Sequence, residues 1–439
     1  MRCAWPRPIA TTIRLALPAS WRPMQAACGA MADRAMAGPS AKPKVIIVTG
    51  PTAVGKTKIG LELAKRLGGE VISADSVQVH TGLDVGSDKL PEAQRQGIKH
   101  HLIDVLPPTA EFSAGEFYEL GRKAAEDILR RGKVPIVVGG TGFYLRWFVL
   151  GKPQTPTSSP ELMRRVHELV QELWDAAAAV ISDLGDPDAA ARVRAERHNW
   201  YRLQRVCQIL LQNGGRPLAE VDIDTSRELD YDFRCFFLHR PRKQLYDKIA
   251  YRVEEMVAGG LLREARELME LGVSAGSCNA ARAIGYRQAL EFMEEARRQG
   301  GAAAAPQLLD LIRKIGVSTR KLVKAQHTWF RDDAAFKWVD AAGPEGEALG
   351  EILAELEKPQ HEGGCGDSGR LDKEAFREMR EYVQPIVLFK DPDVVSKALE
   401  EVRQLLGGGG GGGEAGGGGG EAGGAAAAAG RAAAGGQAP

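Results

Sequence analysis

Eight residues, Gly50-Pro51-Thr52-Ala53-Val54-Gly55-Lys56-Thr57, have the types and spacing to hold a phosphate chain. They match GxxxxGK[ST], and the apolar run VIIVT stands directly before them, with a helix-patterned segment directly after. In that context the glycines let backbone amides converge on phosphate oxygens. The helix N-terminus adds a partial positive charge. Lys56 supplies a point charge, and the Thr57 hydroxyl suits Mg²⁺. Such a loop does not name a reaction. ATP- and GTP-hydrolysing chains usually carry a strand that ends in a metal-holding Asp. Here the strand VPIVV ends in Gly139-Gly140-Thr141-Gly142, with no acid, and the nearest carboxylate in a comparable place is Asp75, in EVISADSVQ. A carboxylate at one strand end and a hydroxyl at another, both facing the crevice at the carboxyl ends of parallel strands, can deprotonate a nucleophile and steady a departing oxygen. That favours group transfer with diphosphate leaving over a motor or a switch. The bland readings are a helix N-cap for Asp75 and a turn residue for Thr141.

The elements that must position these groups follow from the hydrophobic pattern. Strands are expected at residues 45–49, 71–73, 102–105, 134–138, 233–238 and 336–339. Helices are expected from about 58–67, 113–131, 161–173, 200–212, 244–258, 261–271 and 308–330. Alternation of the two predicts an α/β fold: a parallel sheet with helices on its faces. Residues 159–218 carry only helical signals, so a helical block is inserted into that core. No internal repeat is present.

With 439 residues and 44% hydrophobic content, the chain can bury a large core. A formal charge of +1 marks no global attraction to nucleic acid, so basic surface must come from local clustering. Arg320, Lys324, His327 and Arg331, spaced 4, 3 and 4, would share one helix face, with Leu322 and Trp329 on the other. The bland reading is a solvated face. Cys3, Cys28, Cys207, Cys235, Cys278 and Cys365 form no CxxC pair, which argues against a disulfide framework or zinc site. No apolar run is long enough to span a membrane. Residues 1–32 lack Asp and Glu but carry Arg2, Arg7, Arg14 and Arg22, the composition of an organelle transit peptide. The Gly/Ala-rich residues 407–439 are expected to be disordered.

The blocks VTGPTAVGKT, ISADSVQVHTGLDVGSDK, HHLIDVLPP, VPIVVGGTGFYLRW, YRLQRVCQIL, ARAIGYRQA and STRKLVKAQHTWFR, in that order from about Lys44 to Trp338, resemble the tRNA dimethylallyltransferases (tRNA isopentenyltransferases). Several look most like the plant and algal organellar branch. The resemblance implies a P-loop NTPase-like α/β fold with an inserted helical tRNA-binding domain. It implies transfer of a dimethylallyl group from dimethylallyl diphosphate to the exocyclic amine of an adenosine beside the anticodon of tRNA, with Mg²⁺ assisting, by a monomer. It implies that Gly50, Pro51, Thr52, Ala53, Val54, Gly55, Lys56 and Thr57 hold diphosphate, with Thr57 on Mg²⁺. Asp75 is then the general base, Thr141 steadies the bridging oxygen and Arg242 reaches the diphosphate. Contacts to the tRNA anticodon stem-loop are implied for Asp75, Ser76, Val77 and Gln78, for Tyr201, Arg202 and Arg205, for Arg282, Gly285, Tyr286 and Arg287, and for Arg320, Lys324 and Gln326. Family members commonly have Tyr where this chain has His80, which bears on packing or a base contact. Cytosolic eukaryotic relatives often add a zinc finger, but Cys365 and His361 have no partner at finger spacing, so no zinc is expected.

The resulting layout is a leader over 1–42, a catalytic core over 43–157 and 228–345, the helical insert over 158–227, an appendage over 346–406 and the tail over 407–439. An organellar address is expected, plastid ahead of mitochondrion, or a cytoplasmic one if the leader is no transit peptide. Three other readings use the same loop: an adenylate isopentenyltransferase with free AMP, ADP or ATP as acceptor, a small-molecule kinase, and a non-enzymatic RNA-binding protein. The absence of an acid after Val138 and the length of the insert count against the kinase. The RNA-contacting blocks count against the adenylate enzyme. Intact Lys56, Thr57, Asp75 and Thr141 count against a dead fold.

Overall fold

The structure, a computed structural model, describes residues 42–152, 159–169, 174–195, 200–220, 229–331, 333–344, 346–359 and 382–407. The leader through residue 41, the tail from 408, and Cys365 and His361 lie outside them.

Six strands form one wholly parallel sheet in the order β3-β2-β4-β1-β5-β6. They are β1 (Lys44–Thr49), β2 (Glu70–Ser73), β3 (His100–His101), β4 (Pro135–Val138), β5 (Asp232–His239) and β6 (Phe336–Asp340). Alternate side chains of a strand point to opposite faces, and both faces here are covered, so the strands read as apolar runs. Ile46 and Val48 join the core on one face, with α1 (Lys56–Leu67) and α8 (Arg242–Gly259). Val45 and Ile47 join the core on the other, with α2 (Ala114–Arg130) and α3 (Gly142–Leu150). Because all strands run the same way, the loops after β1, β2 and β4 open on one side of the sheet.

The expected strand at 102–105 is corrected. The edge strand is His100–His101, and Leu102 (φ 61°) and Asp104 (φ 57°) then adopt left-handed backbone that no strand can continue. The remaining strands fall where the pattern placed them. The helix expected at 161–173 is described as α4 (Pro160–Leu169), its remainder lying outside the described residues. With α5 (Trp174–Asp183), α6 (Pro187–Ala195) and α7 (Trp200–Gln212) it forms the helical block, which has a separate core of residues such as Trp174, Ile181, Leu203 and Leu210.

After β5 come α8, α9 (Leu261–Glu270), α10 (Asn279–Arg282), α11 (Tyr286–Arg298) and the long α12 (Ala305–Phe330). The structure shifts the appendage boundary. Leu349 and Ile352 of α13 (Glu347–Leu356) are buried in the main core alongside β1 residues. Residues 382–391 then cross α8 and α12 before α14 (Pro392–Gly407). The buried Glu254 carboxylate captures this strap by accepting hydrogen bonds from the amides of Val387 (2.9 Å) and Phe389 (2.9 Å). No helix among the described residues is long and apolar enough to cross a membrane.

Candidate active site

The phosphate loop leaves β1 and enters α1. Lys56 folds back over it, its Nζ donating to the Pro51 carbonyl (2.8 Å). Arg240 closes the loop from outside, donating to the Val54 carbonyl (3.1 Å). Burial pulls the Lys56 ammonium down to about 8, against the opposing pull of Asp75. A half-buried cation without an ion-pair partner among the described residues is what a site for a bound anion has before the anion arrives.

Asp75 follows β2. Its Oδ1 accepts from the amides of Val77 (2.8 Å) and Gln78 (3.3 Å), so the capping role weighed from sequence is real. That role occupies one oxygen. Oδ2 makes no hydrogen bond among the described residues, and the residue lines the same cleft as Lys56 and Thr57. Thr141 follows β4 at the start of α3, where its hydroxyl does not cap the helix. The turn holding it abuts the lysine: a Cβ added to Gly140 would lie 3.7 Å from Lys56 Nζ. Lys56 and Asp75 thus line one cleft, and the turn that carries Thr141 meets Lys56 through Gly140, the three following adjacent strands.

The cleft encloses about 670 Å³ and is completed by Ser87, Asp88 and one face of α8. Here lie residues that sequence reasoning missed. Arg252 pairs with Asp88 (2.6 Å) within charge reach of both Lys56 and Asp75. Burial pushes the Asp88 carboxyl above its usual range, with Arg252 opposing. The spacing of Lys248 and Arg252, four apart on a helix, was the one available signal. Arg242 opens α8 but is buried, with its charge felt by His327, and it does not line this cleft. Thr57, Asp75 and Asp88 offer a hydroxyl and two carboxylates on one wall. A hydroxyl and carboxylates are the hard oxygen donors that suit Mg²⁺, an ion that keeps several waters and shares its shell with phosphate oxygens.

The residues expected at RNA divide. Ser76, Arg202, Arg287 and Lys324 are exposed, as is Arg282, which pairs with Glu111 (3.0 Å). Val77 is half-buried against the core. Gln78 faces the cleft, where its amide donates to the Ser87 carbonyl (3.1 Å). Arg205 is half-buried and bonds Gln208 (3.2 Å). The Tyr201 side chain lies outside what is described.

Five of the residues expected at RNA are packed against the protein itself. Gly285 and Tyr286 are buried, and the Tyr286 hydroxyl donates to Glu264 (2.6 Å), so this pair is core and not surface. Glu264 in turn accepts from the amides of Asp84, Val85 and Gly86. Gln326 is buried and bonded to backbone on both sides. His327 is buried against Phe237 and Trp338, and burial holds its imidazole down to about 4. It cannot share an exposed face with Lys324. Arg320 is half-buried between the rings of Tyr246 and Tyr382 and donates to Gln384 (2.8 Å) of the strap. His80 is wholly buried with its Nδ1 beside the Pro107 carbonyl (3.1 Å), so its bearing is on packing and not on a base.

The family model described as IPP transferase matches residues 78–333, and the one described as isopentenyl transferase matches residues 43–107. The chain belongs to the IPP transferase family. Among similar members, tRNA dimethylallyltransferase 9 of Arabidopsis thaliana is 43% identical over 340 residues, 70% of this chain and 73% of that protein. The tRNA dimethylallyltransferase of Protochlamydia amoebophila is 35% identical over 299 residues, 68% of this chain and 84% of that one. The solved tRNA isopentenylpyrophosphate transferase of Bacillus halodurans superposes with a TM-score of 0.51 at 31% identity, covering 72% of this chain and 96% of that one. A eukaryotic dimethylallyltransferase acting on tRNA shares the fold, with a TM-score of 0.58 at 24% identity over 82% of this chain and 85% of that one. The strap at 382–391 lies beyond the region matched by the IPP transferase model.

Proposed function

We infer that this IPP transferase moves a dimethylallyl group from dimethylallyl diphosphate to the exocyclic amine of an adenosine beside the anticodon of tRNA, releasing diphosphate. The observation that carries the reading is the meeting of Lys56, Asp75 and the Thr141 turn at three adjacent strand ends.

An exocyclic adenine amine is a weak nucleophile because its lone pair is delocalised into the ring. Alignment against the donor carbon supplies up to roughly 7–11 kcal/mol in favourable cases. The amine nitrogen bonds to C1 of the dimethylallyl group as the C1–O bond breaks. The electron pair leaves with the diphosphate oxygen, and the amine proton passes to Asp75 Oδ2. The amides of Val77 and Gln78 hold the other oxygen and fix the carboxylate's direction. The Thr141 hydroxyl donates to the departing bridging oxygen. The loop amides and Lys56 meet the growing diphosphate charge, usually the largest single contribution to rate. Mg²⁺, when bound, adds neutralising charge to the diphosphate beside Thr57. Arg252 holds Asp88 paired, which keeps a second carboxylate from competing for the proton. The target base lies in a loop, so extruding it costs only a few kcal/mol.

The acid-free leader supports an organellar address, plastid ahead of mitochondrion; a reporter fused to residues 1–42 that stays in the cytosol would refute it. The reaction is tested with Mg²⁺, labelled dimethylallyl diphosphate and either unmodified tRNA or AMP. Label in tRNA alone is the expected result. Label confined to AMP would make the acceptor a free nucleotide.

A further inference from the structure

Gln326 sits on α12 six residues after the strap-covered Arg320, yet its carboxamide points inward and the residue is only 8% exposed. Its Oε1 accepts from the Thr52 amide of the phosphate loop (3.2 Å), and its Nε2 donates to the Gly140 carbonyl (3.0 Å). Both partners are backbone groups of fixed polarity, so the orientation of the carboxamide is settled: an N–H can only donate and a C=O can only accept. One side chain thereby ties the loop that grips diphosphate to the turn that carries Thr141.

A second α12 residue braces the same turn. A Cβ at Gly140 would lie 2.5 Å from Gln326 Nε2, and one at Gly142 would lie 2.4 Å from the Trp329 ring. Thr141 is thus held from both flanks by one helix. The side of that helix away from Gln326 exposes Lys324 and, just past its end, Arg331. The face that can meet an RNA backbone and the side chains that set the two catalytic loops belong to the same rigid rod.

We propose that Gln326 is a positioning residue that couples docking of RNA on α12 to the grip on diphosphate. The inference rests on the reading that RNA is the acceptor. Hydrogen bonds of 3.0–3.2 Å are lost with a shift of about half an ångström to one ångström, so the loop and the Thr141 turn are both aligned only when α12 is seated. RNA that fixes α12 therefore tightens diphosphate binding, and diphosphate tightens RNA binding by the same factor.

The test measures the affinity of the full-length protein for inorganic pyrophosphate with Mg²⁺, by calorimetry, with and without an unmodified anticodon stem-loop RNA. Wild type should bind pyrophosphate at least about fivefold more tightly when RNA is present. Gln326→Met, which keeps the volume but neither hydrogen bond, should bring that ratio close to one. It should also weaken pyrophosphate binding without RNA, and leave RNA affinity alone within about twofold. Gln326→Glu keeps the acceptor for Thr52 but cannot donate to Gly140, and should likewise lose the coupling. In transfer assays both variants should raise KM for the diphosphate donor more than they lower kcat, a split that general destabilisation would not give. A ratio of one in wild type, or a ratio kept by Gln326→Met, overturns the proposal. So does a tenfold loss of RNA affinity with pyrophosphate affinity unchanged, which would mark Gln326 as a direct RNA contact. Should either variant fail to fold, amide exchange across the phosphate loop of wild type decides: RNA must slow it, and unchanged exchange counts against the coupling. Absence of label transfer to RNA by wild type counts against the functional reading instead.

Discussion

Lys56→Met should make the protein more stable at neutral pH while abolishing its activity. Burial lowers the Lys56 pKa from 10.5 to about 8. At roughly 1.36 kcal/mol per unit, holding this lysine charged in the folded state costs about 3 kcal/mol at pH 7. The variant also loses the hydrogen bond to the Pro51 carbonyl, worth about 1 kcal/mol. The net expectation is a gain of about 2 kcal/mol. Its pH dependence has a definite sign. Below about pH 8 both folded and unfolded chains carry the proton, and the penalty is complete. Between about 8 and 10.5 the unfolded chain holds more protons than the folded one, so wild-type stability rises with pH relative to the variant. Above 10.5 the penalty is gone, and the variant is left about 1 kcal/mol worse by its lost hydrogen bond. Urea unfolding of both proteins at intervals from pH 6 to 10.5 measures the difference, which should change sign. Transfer should fall by at least about 10²-fold, the loss seen on removing one preorganised donor. A variant less stable than wild type at pH 7, or a difference that is flat across this range, would refute the account of Lys56 as a cation held without its anion.

Asp75→Asn keeps the oxygen that caps Val77 and Gln78 but removes the base, so transfer should fall about 10²–10⁴-fold with RNA affinity nearly intact; survival within tenfold, in the labelled-donor assay, means another group takes the proton. Tyr286→Phe should cost about 1–2 kcal/mol in urea unfolding and leave RNA binding unchanged, because the hydroxyl serves the buried Glu264; a selective loss of RNA affinity would restore the surface reading. Glu254→Ala leaves the amides of Val387 and Phe389 without their acceptor and should destabilise by about 2–4 kcal/mol, with earlier proteolysis within residues 382–391; cleavage at the wild-type rate would show that the strap is held elsewhere.

What was legible in the sequence was local. The phosphate loop needs only eight consecutive residues and their flanks, and the apolar runs of β1, β4 and β5 are long enough to declare buried strands. The edge strand was not legible, because two histidines carry no pattern and the next residue, Leu102, turns left-handed. The α12 reading failed for a different reason. Spacings of 4, 3 and 4 do place Arg320, Lys324, His327 and Arg331 along one side, but successive turns of a 26-residue helix meet different neighbours. The strap covers Arg320, solvent meets Lys324, and the ring of Trp338 covers His327. Helical spacing states which residues share a side and is silent about what lies opposite each turn. Arg252 and Asp88 were missed because their pairing joins segments 164 positions apart, which no window along the chain can see.

The turn around Thr141 has a consequence for how the reaction should respond to its surroundings. Its hydroxyl is placed by clearance, with a carboxamide against one neighbouring glycine and an indole against the other, both uncharged and both closer than the Lys56 ammonium. Contacts of that kind have no Debye length and no titration midpoint. Salt and pH should therefore govern how often the substrates arrive and whether Lys56 is charged, while the aim of the hydroxyl on a bound substrate stays constant across both.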